Sequence, residues 1–246
     1  MIKSRLKDLA DRSYNNGVYT FSDFLGLQDI SEFMEIEREV SFAGTQLYGG
    51  NDACERKMVR FGSEESLGYK EEFPIDVLKI SPLMDKFSDD LTHRDFLGAL
   101  MNLGIERDKL GDIFVKENKA YVYCLNSLSE YIVKSLTKVK HTSVKVQVID
   151  NLKELPSVDK HEVSVSVASE RIDGVVAKVY NLSRNESAEL FVAGKIFLNG
   201  RLMENESRKL VPGDVVSVRG FGRFEFVSLG GLSKKGKQYV TISVWG

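Results

Sequence analysis

Apolar residues near the start of the chain recur at the spacing of amphipathic helices. The first set, predicting a helix that ends near residues 15–17, is Ile2, Leu6, Leu9 and Ala10. The second set, predicting a helix over residues 29–39, is Ile30, Phe33 and Met34. Residues 40–42 have the composition of a short strand. Together with the segment that follows them to residue 73, these elements predict a small N-terminal α/β domain over residues 1–73.

A different alternation of strand and helix patterns begins at residue 74. We predict strands over residues 75–80, 111–115, 120–124 and 144–148. One helix follows the first strand, starting at a capping box of Thr92 and Asp95, and another follows the third strand. The order β-α-β-β-α-β predicts a ferredoxin-like domain over residues 74–150, an arrangement that RNA-recognition domains share with many unrelated proteins.

Two tyrosines on the third predicted strand leave two interpretations open. Tyr121 and Tyr123 are two residues apart, so both side chains point to the same face of the sheet. They could stack RNA bases, as the aromatic residues of RNA-recognition sheets do. They could equally be core residues packed under the helices. The order of elements alone does not decide between these interpretations.

The last part of the chain again combines helices and strands. A linker with Pro156 is predicted over residues 151–162, followed by a domain over residues 163–246 that starts with a strand at 163–167. Ile172, Val175, Val176 and Val179 predict a short helix, and Ser183 with Glu186 forms a capping box for a second helix that ends at Gly194. The whole chain is thus predicted to be of the α+β class.

Composition limits the functions that need to be considered. The chain has 246 residues, 42% of them hydrophobic, which suits two or three small domains. It has no apolar run of about 18 residues and no secretion leader, so we expect a cytoplasmic protein without a membrane span. Cys54 and Cys124 lack partners at metal-ligand spacing, and we predict reduced thiols, no metal, no cofactor and no catalytic residues.

Charge is distributed unevenly although the net charge is only −2. Residues 171–246 contain 12 Lys and Arg against 7 Asp and Glu, whereas residues 1–170 contain 22 against 29. This asymmetry favours a polyanionic partner for the C-terminal part, although a solvated basic face would give the same count. Arg184 lies in the first turn after the capping box, where the helix dipole and main-chain amides would favour a phosphate.

Several segments of this C-terminal part resemble the S4 RNA-binding domain. They are Arg171-Ile172-Asp173, Ser183-Arg184, Ser187-Ala188, the run from Gly194 to Gly200, and Gly213-Asp214-Val215-Val216. Segments 49–57, 94–105 and 219–224 extend the resemblance over the whole chain to the YlmH proteins of bacteria.

The resemblance to YlmH proteins implies a non-catalytic factor of ribosome-associated quality control. Such a factor would bind large ribosomal subunits that still carry peptidyl-tRNA during template-free tailing of the stalled chain. Its implied partners are ribosomal RNA, peptidyl-tRNA and the tailing factor, and we expect the protein to be a monomer.

The residues expected to contact RNA are mainly basic and polar residues of the C-terminal domain. They are Arg171, Lys178, Ser183, Arg184, Lys195, Asn199, Arg201, Arg208, Lys209, Arg219 and Arg223. Secondary contacts are expected from Arg56, Lys57, Tyr121, Tyr123, Lys138 and Lys140.

Two other functions remain alternatives at this point. S4 domains are also appended to RNA-modifying enzymes such as pseudouridine synthases, although residues 1–150 show neither a catalytic Asp in a strand-loop context nor a cofactor-binding glycine loop. The acidic N-terminal half could instead make the protein an adaptor in cell division.

Overall fold

The computed structural model describes residues 1–84, 86, 88–149, 155, 160–234 and 236–245. The chain is of the α+β class and divides into two compact units, Met1–Ser157 and Val158–Gly246. All strand pairs within its three sheets are antiparallel. Among the described residues, no helix is both long and apolar enough to cross a membrane.

The first unit begins with two helices packed on a small sheet of order β1-β3-β2. Its elements are α1 Ile2–Asn16, β1 Thr20–Phe21, α2 Leu27–Val40, β2 Thr45–Tyr48, β3 Met58–Phe61 and α3 Glu64–Leu67. Leu6 and Phe33 meet in the core between the helices and the sheet. The strand predicted over residues 40–42 is wrong: Val40 is buried on the apolar face of α2, and a 3₁₀ turn, Ser41–Ala43, follows it.

The larger sheet of the first unit contains the predicted order β-α-β-β-α-β with one additional short strand. Its elements are β4 Ile75–Pro82, α4 His93–Met101, β5 Leu110–Lys116, β6 Lys119–Leu125, α5 Asn126–Ser135, β7 Lys138–Val139 and β8 Thr142–Val148. The strand order is β5-β6-β4-β8-β7. Helices α4 and α5 cover one face of this sheet, where Phe96 and Ile132 pack on Leu78, Ile80 and Val122.

The N-terminal elements cover part of the opposite face of the same sheet. Phe24, Cys54 and Met58 form a hydrophobic cluster with Tyr121 and Tyr123. The predicted domains 1–73 and 74–150 therefore share a core and form one compact unit. The prediction placed a boundary here because a change of pattern along the sequence does not show which sheet face a preceding segment will cover.

The second unit consists of two helices on a six-stranded sheet of order β11-β10-β12-β13-β14-β9. Its elements are β9 Lys160–Val167, α6 Ile172–Val179, α7 Arg184–Val192, β10 Ile196–Leu198, β11 Arg201–Leu202, β12 Val215–Val218, β13 Gly222–Leu232 and β14 Gln238–Trp245. The helices pack through Val176 and Phe191 on Phe224, Phe226 and other residues of the sheet. Most of the predicted linker 151–162, including Pro156, lies outside the described residues, and β9 begins at Lys160.

Candidate nucleic-acid interface

Two helix starts bring basic side chains together in the second unit. The Ile172 N–H donates to the Arg208 carbonyl oxygen at 2.8 Å, which fixes the start of α6 against the following loop. Ile172 itself is fully buried, so Arg171 before it is held at the surface. Ser187 of α7 donates its hydroxyl to the Asp173 carbonyl oxygen at 2.9 Å, which keeps the first turns of both helices adjacent.

A groove of about 480 Å³ lies beside these two helix starts. Its lining includes Arg171, Lys178 and Arg184, together with Lys237 from the turn before β14. Four cations that lie apart in the sequence are therefore gathered at one surface. Lys237 was absent from the predicted contacts because only the pairing of β14 with β9 places it here, where Gln238 is opposite Val167.

One carboxylate, Asp173, also lines this groove and holds Arg171 in place. The Arg171 guanidinium donates two hydrogen bonds to Asp173, at 2.9 Å from Nη2 and 3.1 Å from Nε. Partial burial disfavours the charged form of Asp173, but hydrogen bonds from Arg171 and the Gly174 N–H, with the charges of Arg171 and Arg184, lower its pKa overall. The groove thus has four cationic side chains against one carboxylate among its described lining residues.

The N-terminus of α7 is already capped by its own side chains. The Ser183 hydroxyl accepts from the Glu186 N–H at 3.2 Å, and the Glu186 carboxylate accepts from the Ser183 N–H at 2.7 Å. Hydrogen bonds from the Ser183 N–H and side chain lower the pKa of Glu186, so a negative charge sits at the place where the sequence predicts that a phosphate meets the helix amides. The capping box is confirmed, and the expected contact between Ser183 and RNA has no support in this geometry because its hydroxyl and N–H take part in the helix cap.

Other predicted contacts of the second unit lie outside this groove. Lys195 and Arg219 are neighbours, since the Arg219 N–H donates to the Lys195 carbonyl oxygen at 2.9 Å. Arg208 and Lys209 are exposed on the loop beside the start of α6, with Lys209 Nζ at 3.4 Å from Glu170. Arg201 is exposed on β11. These exposed cations do not line the same groove as Arg184.

Two further predicted residues have structural contacts. The Asn199 amide donates to Asp214 Oδ1 at 2.9 Å and accepts from the Val215 N–H at 2.8 Å. It therefore closes its own turn, at a φ of 51°, and the predicted RNA contact has no support in this geometry. The Arg223 guanidinium lies 4.2 Å from the centroid of the Trp245 ring, a cation–π contact.

Arg56 of the first unit is an internal link and not a surface contact. Its guanidinium donates to the carbonyl oxygens of Leu110 at 3.0 Å, Phe24 at 2.8 Å and Arg107 at 3.3 Å. Burial lowers its pKa. The predicted RNA contact has no support in this geometry because these donors join the N-terminal segment to the start of β5. The neighbouring Lys57 is half-buried, and its main chain bridges to Leu25.

The two tyrosines of β6 are buried, which excludes the base-stacking interpretation. Tyr123 has no exposed surface, Tyr121 is 8% exposed, and the Tyr123 hydroxyl accepts a hydrogen bond from the Asn51 amide. Gly50 lies so close to the Tyr123 ring that a Cβ there would be 2.2 Å from Cδ1. The alternative of packing under the helices is also wrong, because the N-terminal elements cover this face.

Lys138 and Lys140 line a groove of about 520 Å³ with Arg94. Lys140 Nζ lies 2.9 Å from the carboxylate of Asp95. Hydrogen bonds from Thr92 first, and then from Lys140, lower the pKa of Asp95 to about 2. Lys140 is therefore partly neutralised. Across the part of the chain that the structure describes, no three His, Cys, Asp or Glu side chains cluster as metal ligands would.

Comparison with known proteins shows which family this chain belongs to. The family model described as "Putative RNA-binding domain in YlmH" matches residues 69–153. The chain is 32% identical over 200 residues to "Ribosome-associated protein quality control protein P2" of Bacillus subtilis (strain 168), covering 80% of this chain and 77% of that protein. It shares its fold with "Cell division protein ylmH from Streptococcus pneumoniae", with a TM-score of 0.50 at 19% identity over 63% of this chain and 93% of that one. The identity over most of both sequences and the matching family model show that the chain belongs to the YlmH family.

Proposed function

We propose that this protein is a non-catalytic RNA-binding factor of ribosome-associated quality control. The observation that supports this most strongly is the groove that gathers Arg171, Lys178 and Arg184, together with Lys237. The name of the Bacillus subtilis relative includes that process, which supports the same role for this chain.

The partner that this groove fits is an RNA backbone. Arginine guanidinium groups form bidentate hydrogen bonds to phosphate oxygens, and lysine adds a compact charge. Asp173 occupies two donors of Arg171, which leaves the rest of the fork available at a fixed orientation. Contacts of this type position a protein on RNA by shape and charge and carry little base specificity.

We further propose that the RNA is that of the large ribosomal subunit carrying peptidyl-tRNA, and that the protein acts with the tailing factor there. In this proposal α6, α7 and β10–β12 form an S4 domain, and the larger sheet of the first unit is a ferredoxin-like domain. The strand order of that sheet and the capped second helix are compatible with these assignments.

The test is co-sedimentation with large subunits purified from stalled cells. Arg184→Glu reverses one charge of the groove and should remove the protein from the subunit fraction at physiological salt. Arg12→Glu makes the same charge change on the exposed side of α1 and should leave occupancy unchanged. Equal occupancy of the Arg184→Glu and Arg12→Glu variants would contradict the proposal.

A further inference from the structure

The larger sheet of the first unit has a second, uncovered part on the face that carries Tyr121 and Tyr123. The N-terminal elements cover the part around Val77 and Tyr123. Beyond it the same face forms a cleft of about 350 Å³. Its lining is Lys79, Ser81, Pro82, Leu83, Lys119, Lys145 and Gln147.

Strand register explains why three lysines meet in this cleft. Tyr121, Lys79 and Gln147 lie opposite one another across β6, β4 and β8, so they form one row on this face. Ser81 and Lys145 are opposite each other two residues further along, in the next row of the same face. Lys119 follows at the end of β6 that borders this row. The lysines thus come from three adjacent strands of a rigid sheet.

The cleft has a strongly one-sided charge. Among its described lining residues there are three lysines and no carboxylate. Lys116 adds a fourth ammonium group at the edge, since it lies directly opposite Lys119 in the pairing of β5 with β6. An anion bound in the cleft would interact favourably with the three lining lysines together.

The polar neighbours of the lysines suit a chain of phosphates. The exposed Gln147 amide supplies hydrogen-bond donors beside the ammonium groups, whereas Ser81 is buried. The aromatic rings that would stack bases are buried nearby, so the uncovered surface offers charge and donors without a stacking platform. An RNA strand would therefore be held here by its backbone.

We infer that this cleft, defined by Lys79, Lys119 and Lys145, is a second RNA-phosphate site, separate from the groove of the second unit. The inference rests on the proposed RNA-binding function and locates the contact within the segment that matches the putative RNA-binding domain. It gives the first unit a part in RNA binding that is independent of base sequence.

The test compares matched triple variants of the full-length protein. Lys79→Gln, Lys119→Gln and Lys145→Gln together remove the three charges of the cleft. The control removes three lysines of the same unit that are ion-paired to Glu35, Glu39 and Glu72 at its surface: Lys3→Gln, Lys7→Gln and Lys70→Gln. A third variant, with arginine at the three cleft positions, retains the charge and shows that loss of binding does not reflect misfolding.

The measurement is the dissociation constant for a short oligouridylate as a function of salt concentration. Each lost phosphate contact lowers the slope of log affinity against log salt by about 0.7, so the cleft variant should lose about two units of slope. When the salt concentration rises from about 50 to 200 mM, the fold-loss of affinity should be roughly 15 to 20 times larger for the wild type than for the cleft variant. The control and the arginine variant should keep the wild-type slope.

The outcomes separate this inference from the proposed function. A cleft variant with the same slope as the control, in a protein whose RNA binding is weakened by Arg184→Glu, would overturn the inference alone. A wild-type protein that binds no RNA would overturn the proposed function as well. If the cleft variant lost binding to polyglutamate and kept its binding to RNA, the cleft would belong to an acidic protein partner and the assignment to RNA would be wrong.

Discussion

The contact between Gly50 and Tyr123 leads to a prediction that the structure makes quantitative. An added Cβ at Gly50 would lie 2.2 Å from Cδ1 and 2.3 Å from Cε1 of a tyrosine ring with no exposed surface. Ordinary carbon–carbon contacts are about 3.5–4.0 Å. The ring cannot move away, because Phe24, Cys54 and Met58 belong to the same buried cluster.

Gly50→Ala should therefore be strongly destabilising. Overpacking of a core costs about 1–3 kcal/mol, and a non-glycine residue at a φ of 106° adds about 1–2 kcal/mol of backbone strain. The sum, about 2–5 kcal/mol, is a large part of a typical stability of about 5–15 kcal/mol. At roughly 2–4 °C per kcal/mol, Tm should fall by about 4–20 °C.

A matched control isolates the steric part of this effect. Gly17 also has a positive φ, 62°, but a Cβ there meets nothing within 4 Å. Gly17→Ala should cost only the backbone strain, about 1–2 kcal/mol. Urea unfolding followed by near-ultraviolet tyrosine signals measures both variants, with fluorescence of the single tryptophan, Trp245 of the second unit, as internal reference. Equal losses for the two variants would refute the burial of Tyr123 under the N-terminal elements.

Three further substitutions have clear expected outcomes. Arg56→Met removes three hydrogen bonds to carbonyl oxygens, each worth about 1–3 kcal/mol when its acceptor is left buried. The urea midpoint should therefore fall, while the folded protein keeps its affinity for RNA. An unchanged urea midpoint with a lower affinity for RNA would instead indicate that Arg56 contacts RNA. Because the pKa of Asp95 is lowered from 3.8 to about 2, its carboxylate stabilises the fold above pH 4 and less so as the pH falls towards 2. The difference in unfolding free energy between wild type and Asp95→Asn should accordingly shrink over that range, and a constant difference would contradict the hydrogen bonds that Asp95 accepts from Thr92 and Lys140. Ser183→Ala removes a helix cap and should cost about 1 kcal/mol by urea unfolding, whereas no loss would contradict the capping box with Glu186.

Local patterns predicted the elements of this chain well. Capping boxes at Thr92 and Ser183 mark observed helix starts because the hydrogen bonds involved span only three residues. The alternation of Val144 and Val146 marks β8, because this pattern also depends on only a few neighbouring residues. The strands β13 and β14 were missed, although Phe224 and Phe226 alternate as residues of a half-buried strand do. That segment was interpreted for its arginines and for the family resemblance, without a test of its strand alternation.

The candidate site could be predicted only in part, because several of its features depend on contacts between segments that are distant in the sequence. The sequence placed Tyr121 and Tyr123 on one face of a sheet, but the cover of that face comes from residues around Phe24 and Met58. Arg56 has the appearance of a surface charge in the sequence, and its burial depends on carbonyl oxygens that lie 32 and 54 positions away. Lys237 joins the groove only through strand pairing. Arg171 and Arg184 were predictable because two short helices bring them together locally.

The most direct test of the central claim is a cryo-EM map of the protein on large subunits that carry peptidyl-tRNA. The account predicts an RNA backbone in the groove of the second unit, with phosphate density within hydrogen-bond distance of Arg171 and Arg184 and close to Lys178. A map in which the protein is well resolved on the subunit and this groove faces solvent would contradict it.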